Sequence, residues 1–332
     1  MPITENVSLK ELNWFRTGGP AKFFVEPSTT TEFVAALDFA RTNNLEVFVL
    51  GEGANILISD AGFDGLVIRP KLNSIKILDI QKYQENLDLV APENSITPEI
   101  LVQAGAGVSF GELIDFCLDN NLLGLEEFSG IPGSVGGSVY INIHFFEFLL
   151  SQFLVSAEII ERQTGQILTV DNNWFEFGYD QSKLQTHQYY LISATFKLKL
   201  TNSLTAAFAK GRAHEIRRYR SHRYPSKNTC GSFFRNFHAH EVKLVLNQKP
   251  MIYTAYYLDK LGLKGTLRVG DAQVSHQHAN MLINLGAASS QDLIELARQM
   301  QQQVYQNFGI IPQPECLLIG FKAYPLKAFD LN

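Results

Sequence analysis

Residues 124–142, G-L-E-E-F-S-G-I-P-G-S-V-G-G-S-V-Y-I-N, narrow the possibilities for this chain more than any other stretch. Gly130, Gly133, Gly136 and Gly137 strip side chains from a turn in which Pro132 fixes one φ, so backbone N–H groups can converge on an anion. Such spacing serves binding rather than packing, and a diphosphate is the natural occupant. One glycine-rich loop alone could equally be a surface turn. A second lies upstream, where Gly51-Glu52-Gly53-Ala54-Asn55 follows the apolar run 45–50, which reads as a buried strand delivering its glycines to a strand end. The motif is not G-x-G-x-x-G, and Ile56-Leu57-Ile58 reads as a further strand rather than a helix, so the Rossmann fingerprint fails on context. Two glycine turns on a strand-rich frame point to a dinucleotide held between turns, with no helix dipole required.

A chain of 332 residues, 45% of them hydrophobic, can build two or three compact units. Charged residues make up 18% and the net charge is −5, which argues against nucleic acid or an anionic membrane as partner. Cys117, Cys230 and Cys316 show neither metal-ligand spacing nor an even disulfide framework; free thiols in a reducing compartment, and no metal, are expected. The first residues lack the charged and apolar regions of a signal peptide. The greasiest run, 145–155, contains Glu147, Ser151 and Gln152 and is too short to span a bilayer. A cytoplasmic monomer without membrane insertion is the expectation.

The pattern is α+β. An extended run at 22–27 precedes a helix at 31–44, where Phe33, Val34, Leu37, Ala40 and Arg41 recur at helical spacing; strands follow at 45–50 and 66–68. Further strands are read at 74–80, 87–91, 100–104, 157–161, 166–170 and 190–200, the last three forming an antiparallel sheet. Ser109 with Glu112 has the form of a capping box opening a helix to about 120. Residues 206–219 read as a helix with Arg212, Arg217 and Arg218, and Arg220 and Arg223 follow; a solvated face explains these arginines taken alone. A final unit has strands at 279–284 and 316–322 around a helix at 290–307, with Gly309 past its end.

The order of motifs resembles the UDP-N-acetylenolpyruvoylglucosamine reductase family over nearly the whole chain. Arg16-Thr17-Gly18-Gly19-Pro20-Ala21 is similar to its opening motif, residues 51–55 to its first FAD turn, and 129–137 to its Gly-Ile-Pro-Gly flavin loop. Gly231-Ser232-Phe233-Phe234-Arg235-Asn236 is similar to the segment with the catalytic serine, and Leu263-Lys264-Gly265, His278-Ala279-Asn280 and residues 314–320 complete the order. The resemblance implies a two-lobed FAD-binding unit of the vanillyl-alcohol-oxidase-like type, divided here as 1–72 and 73–203, and a smaller substrate-binding domain at 204–332. The short connection between Leu200 and Ala206 matches the branch without a tyrosine-loop insertion.

The same resemblance implies FAD as cofactor, NADPH as electron donor and a UDP-sugar substrate whose enol ether is reduced in peptidoglycan precursor synthesis. FAD would be held by Gly51, Glu52, Gly53, Ala54, Asn55 and Ile56 and by Gly130, Ile131, Pro132, Gly133, Ser134, Gly136 and Gly137. Ser232 would donate the proton, with Glu315 steadying the enolpyruvyl carboxylate end, either protonated or paired with a cation. Arg223 would clamp the diphosphate, with Arg235, Asn236 and Lys264 near the sugar nucleotide. Cys230 and Cys316 flank the proposed acid groups and read as small buried residues filling space.

Two departures stand out. Phe177-Gly178-Tyr179-Asp180-Gln181-Ser182 has Asp180 where the family has an arginine, a reversal that should raise the barrier unless another positive group compensates; on this reading Asp180→Arg raises turnover. His144-Phe145-Phe146-Glu147 stands where smaller residues are usual, and His144 either supplies that cation or packs among its aromatic neighbours, the reading its surroundings favour. The alternatives are a flavoprotein of the same scaffold with another substrate, and a silent protein that binds FAD or sugar nucleotide.

Overall fold

The computed structural model describes residues 2–78 and 98–327; the strand expected at 87–91 lies outside them. Six helices are described here: α1 (Thr30–Thr42), α2 (Phe110–Asp119), α3 (Val135–Tyr140), α4 (Ser203–Arg223), α5 (Thr254–Lys260) and α6 (Ser290–Phe308). Contacts gather the described residues into two compact units. One is made of 24–52 and 65–219 with the first few residues, the other of 4–23, 53–64 and 220–332. The sequence reading divides the chain at 72 and 203, whereas these units divide it at 23, 52, 64 and 219.

The first unit is built on an antiparallel sheet in the order Ile167–Asp171, Leu154–Glu161, Tyr189–Leu200, Glu99–Gly105, Ile75–Leu78, with Leu122–Leu123 paired to the end of the long third strand. Its register aligns Val170, Ala157, Ala194, Ala104 and Ile75, so three alanines sit side by side on the core face. α2 buries Phe110, Leu113, Ile114, Cys117 and Leu118 in this core, one apolar stripe at helical spacing. Elsewhere in the unit Val47–Val49 pairs in parallel with Leu66, Val67 and Ile68 beside α1, whose N-cap is Thr29.

One expectation about a helix end needs correction, and the reading of α4 needs an addition. Ser109 makes no side-chain cap to α2. Instead the Phe110 N–H, one of the first-turn donors without a partner inside the helix, donates to the Gly133 carbonyl at 2.8 Å. The cations of α4 do not face solvent alone either: Lys210 pairs with Asp119 at 2.8 Å, Arg212 is bidentate to Glu127 at 3.0 Å, and Arg217 pairs with Asp115. The basic helix thus answers the acidic side of α2.

In the second unit a separate core surrounds α6, which opens with a capping box. Asp292 N–H donates to Ser289 Oγ at 3.0 Å and Ser289 N–H to Asp292 Oδ2 at 2.9 Å, while Gly309 closes the helix at φ 70°. The segments 4–23 and 53–64 join this unit by specific bonds. Ile56–Ile58 pairs in parallel with Leu317–Ile319, Asp60 Oδ2 accepts from Ser290 N–H and Oγ at 2.7 and 2.8 Å, and Asn284 Nδ2 donates to the Phe15 carbonyl at 2.8 Å. Among the described residues no helix is long and apolar enough to cross a membrane.

Phe128 is fully buried in the first core, edge-on to Phe110 and Phe153 at 5.9 and 6.1 Å, immediately before the glycine loop. Phe128→Ala should lower the free energy of unfolding in urea by about 3–5 kcal/mol. Phe146→Ala, at a side chain 74% exposed, should change it by less than about 0.5 kcal/mol.

Candidate active site

Within the first unit Gly51 and Glu52, which start the first glycine turn, meet the second. Gly133 N–H donates to Glu52 Oε2 at 3.1 Å, and a Cβ on Gly51 would stand 2.6 Å from Ser134 Oγ. Ser134 caps α3 by accepting from Gly137 N–H at 3.2 Å, so the second turn does open a helix, contrary to the sequence reading. Its amides are largely committed: Val135 N–H donates to Val108 O at 2.8 Å and Gly136 N–H to Ala106 O at 2.9 Å. Gly136 is therefore a packing glycine, since a Cβ there would come 3.0 Å from that same carbonyl.

The 51–55 turn differs. None of its five N–H groups donates to a described residue, and Asn55 Oδ1 is buried without a partner. Gly53 is held at φ 69° against Leu12 and Asn13, where a Cβ would meet the Leu12 carbonyl at 2.5 Å. Around the second turn Ser129 Oγ and Ser138 Oγ are buried and also lack partners. Uncommitted amides and orphaned hydroxyls are donors for phosphate and ring oxygens, so each turn taken by itself fits part of a flavin dinucleotide, the first through its backbone amides and the second through its hydroxyls.

In the second unit Ser232 and Glu315 come together through backbone pairing. Residues 232–235 run between two segments: Ser232 bridges Met281 and Phe234 bridges Pro314, with Glu315 N–H donating to Phe233 O at 2.8 Å and Arg235 N–H to Gln313 O at 2.9 Å. Asn280 fastens this strip, its buried amide exchanging bonds with Phe234 N–H and O at 3.2 and 2.6 Å. Ser232 and Glu315 are half-buried, and the Ser232 hydroxyl makes no hydrogen bond to a described residue. Beside them the free, buried side chains of Cys230 and Cys316 touch; burial, then the hydrogen bond between them, pushes Cys230 well up, so it is a thiol rather than a thiolate.

Arg223 and Lys264 lie close enough to His278 for their charges to add to burial in pushing its imidazole down to about 4. His278 is neutral, as its Nδ1 shows by accepting from Asn280 N–H at 3.3 Å. The sequence marked its motif but gave it no role. Arg235 has a different setting. Its guanidinium is bidentate to Glu241 at 2.8 and 2.7 Å, a partner the sequence did not reveal, and Asn236 Oδ1 accepts from Thr254 N–H at 3.3 Å. Burial alone would push the Glu241 carboxyl up, but the Arg235 bonds, the His238 N–H and the guanidinium charge outweigh it and hold it below its ordinary value.

Gly51→Ala should weaken FAD retention about tenfold or more, read from flavin absorbance after gel filtration, because the methyl would wedge the two turns apart. Gly211→Ala, with nothing within 4 Å, should not. For His278 the folded pKa lies below the unfolded one, so the unfolded chain takes up a proton that the native state refuses. Stability present at neutral pH is lost as pH falls from about 6.5 towards 4, by about 3 kcal/mol in all. Urea unfolding at the two pH values should show a smaller fall for His278→Asn.

Residues 21–171 match the model of an FAD binding domain, and residues 223–319 match that of the UDP-N-acetylenolpyruvoylglucosamine reductase C-terminal domain. The UDP-N-acetylenolpyruvoylglucosamine reductase of Clostridium tetani is 32% identical over 324 residues, 96% of this chain and 93% of that protein. That of a Synechococcus strain is 31% identical over 327 residues, 98% of this chain and 93% of its own length. The crystal structure of UDP-N-acetylenolpyruvylglucosamine reductase from Thermus caldophilus superposes with a TM-score of 0.71 at 26% identity, covering 96% of this chain and 99% of that one. Glycine turns that fit a flavin, a serine and a glutamate joined by one backbone strip, and these likenesses over the full length agree: the chain belongs to the UDP-N-acetylenolpyruvoylglucosamine reductase family.

Proposed function

We infer that this chain reduces UDP-N-acetylenolpyruvoylglucosamine to UDP-N-acetylmuramate, using FAD and NADPH, in the cytoplasm and as a monomer. The observation that supports this reading best is the strip that sets Ser232, with an uncommitted hydroxyl, next to Glu315. Saturating an enol ether requires hydride on one carbon and a proton on its neighbour. The bound flavin supplies the hydride, taken from NADPH. The proton comes from Ser232 Oγ, which is free to donate because nothing among the described residues competes for it.

Glu315 meets the enolpyruvyl end of the substrate from the adjoining segment. Arg223 and Lys264 supply positive charge for the diphosphate, and neutral His278 beside them adds a donor without adding a third charge. Asn236 contacts the sugar nucleotide. Arg235, whose charge Glu241 already answers, acts by holding the 232–236 strip in place rather than by binding phosphate as a free cation.

Ser232→Ala should retain FAD and lower kcat by roughly a hundredfold or more, with KM little changed. A rate equal to the parent's would reassign the proton donor. A folded protein that binds no flavin, or that oxidises NADPH equally well without sugar nucleotide, would overturn the assignment as a whole.

A further inference from the structure

His144 and Asp180, which read separately as two departures in the sequence, form one pair in the first unit. His144 Nδ1 lies 3.2 Å from Asp180 Oδ1, with the side chains 26% and 19% exposed, and the Tyr179 ring lies tilted against the imidazole, the ring centroids 4.4 Å apart. The expectation that His144 merely packs among aromatics is therefore incomplete. Asp180 Oδ2 is buried and has no hydrogen-bond partner. A carboxylate oxygen in that condition marks a place built for one more donor.

The carboxylate is aimed deliberately. Asp180 sits in the left-handed region at φ 54°, at the tip of a turn closed by Gly178 and Gln181. Asn142 Nδ2 donates to Gly178 O at 2.9 Å, Gln185 Nε2 to Asp180 O at 2.8 Å, and Ser182 Oγ to Tyr140 O at 2.7 Å. Tyr140 ends α3, the helix that the second glycine turn opens, and six residues of helix span only about 9 Å. The pair thus hangs from the element that shapes the flavin turn. On the other side His144 starts a hairpin, paired across to Leu149, whose tip holds Phe146 at φ 52° and 74% exposed. A bulky aromatic in that backbone region, left in solvent, is a feature of binding sites rather than of packing.

We propose that His144 is a catalytic residue of this chain, a donor whose Nε2 meets the anionic end of the bound substrate, and that Asp180 is its positioning residue through Nδ1. An aspartate on one imidazole nitrogen fixes the tautomer and supports the cation when the other nitrogen carries a proton. The groups facing the imidazole are the Asp180 carboxylate and the Tyr179 ring; Glu147, near the hairpin tip, is exposed. The proposal rests on the reductase reading, and it reverses the expectation that Asp180→Arg raises turnover, because an arginine there would face His144 without its counter-charge.

The test separates the two half-reactions of the holoenzyme. Bleaching of the flavin by NADPH needs no sugar nucleotide and should be unchanged in His144→Gln and Asp180→Asn. Return of flavin colour on adding the enolpyruvyl sugar nucleotide should slow by roughly a hundredfold in His144→Gln, with an altered pH profile. Asp180→Arg should slow it too, and combining it with His144→Gly should recover most of the loss. Affinity for UDP-N-acetylmuramate, measured by calorimetry on the holoenzyme, should fall in His144→Gln while Tm stays within about 2 °C of the parent. If the parent itself shows no return of colour, the reductase reading fails. If the parent reacts and His144→Gln matches it in rate, pH profile and affinity, this proposal fails alone.

Discussion

The first unit depends on a contact that only glycine permits. Gly51 lies so near Ser134 that a single methyl would stand 2.6 Å from its hydroxyl, and Glu52 takes the Gly133 amide across the same gap. Through that contact the loop after a short parallel strand is fixed to the loop that opens α3, and the carbonyl of Gly133 in turn caps α2. Backbone of the second turn takes part in both hydrogen bonds, its Gly133 amide on the Glu52 carboxylate and its Gly133 carbonyl on α2. The glycines therefore act in two ways: those at 51 and 136 let elements close on one another, while the 51–55 turn as a whole leaves its amides uncommitted for a ligand.

The second unit reaches its chemistry by an analogous route. Ser232 and Glu315 are far apart in sequence, and what joins them is a strip of antiparallel backbone between Asn280 and Pro314, with the Asn280 amide as its clasp. Such a strip is stiff because its polar groups are mutually satisfied. Cys230 and Cys316 meet beneath it, buried and free, which agrees with small side chains filling a tight space. Arg235 and Glu241 add a nearly buried ion pair beside it, removing either partner of which would leave a charge without an answer.

Much of this was legible beforehand. The amphipathic stripes of α1 and α6, the antiparallel strands from Leu154 to Leu200 and the glycine that stops α6 all follow from local pattern and turn chemistry. The capping box at Ser109 and Glu112 does not form, and the first N–H of α2 goes to a carbonyl from another loop, a partner that has no local signal. The helix opened by Ser134 was missed for the opposite reason: glycines at 136 and 137 lower helix propensity, and packing against the sheet overrides it. The arginines of α4 do keep much of their surface in solvent, but the partners of Arg212 and Arg217, Glu127 and Asp115, come from a distant segment that local pattern does not reveal.

The sequence by itself determined which turns are glycine-shaped, where the helices lie and which residue types carry the chemistry, since these follow from spacing within a few residues. Only the tertiary structure decided partnership. It set Glu241 against Arg235, gathered Arg223, Lys264 and His278, joined the 4–23 and 53–64 segments to the C-terminal unit, and turned His144 and Asp180 from two anomalies into one pair. The reason is physical. Charge pairing and close approach act through space over a few ångströms, and which residues come that close depends on strand register and chain reversal that no local stretch encodes.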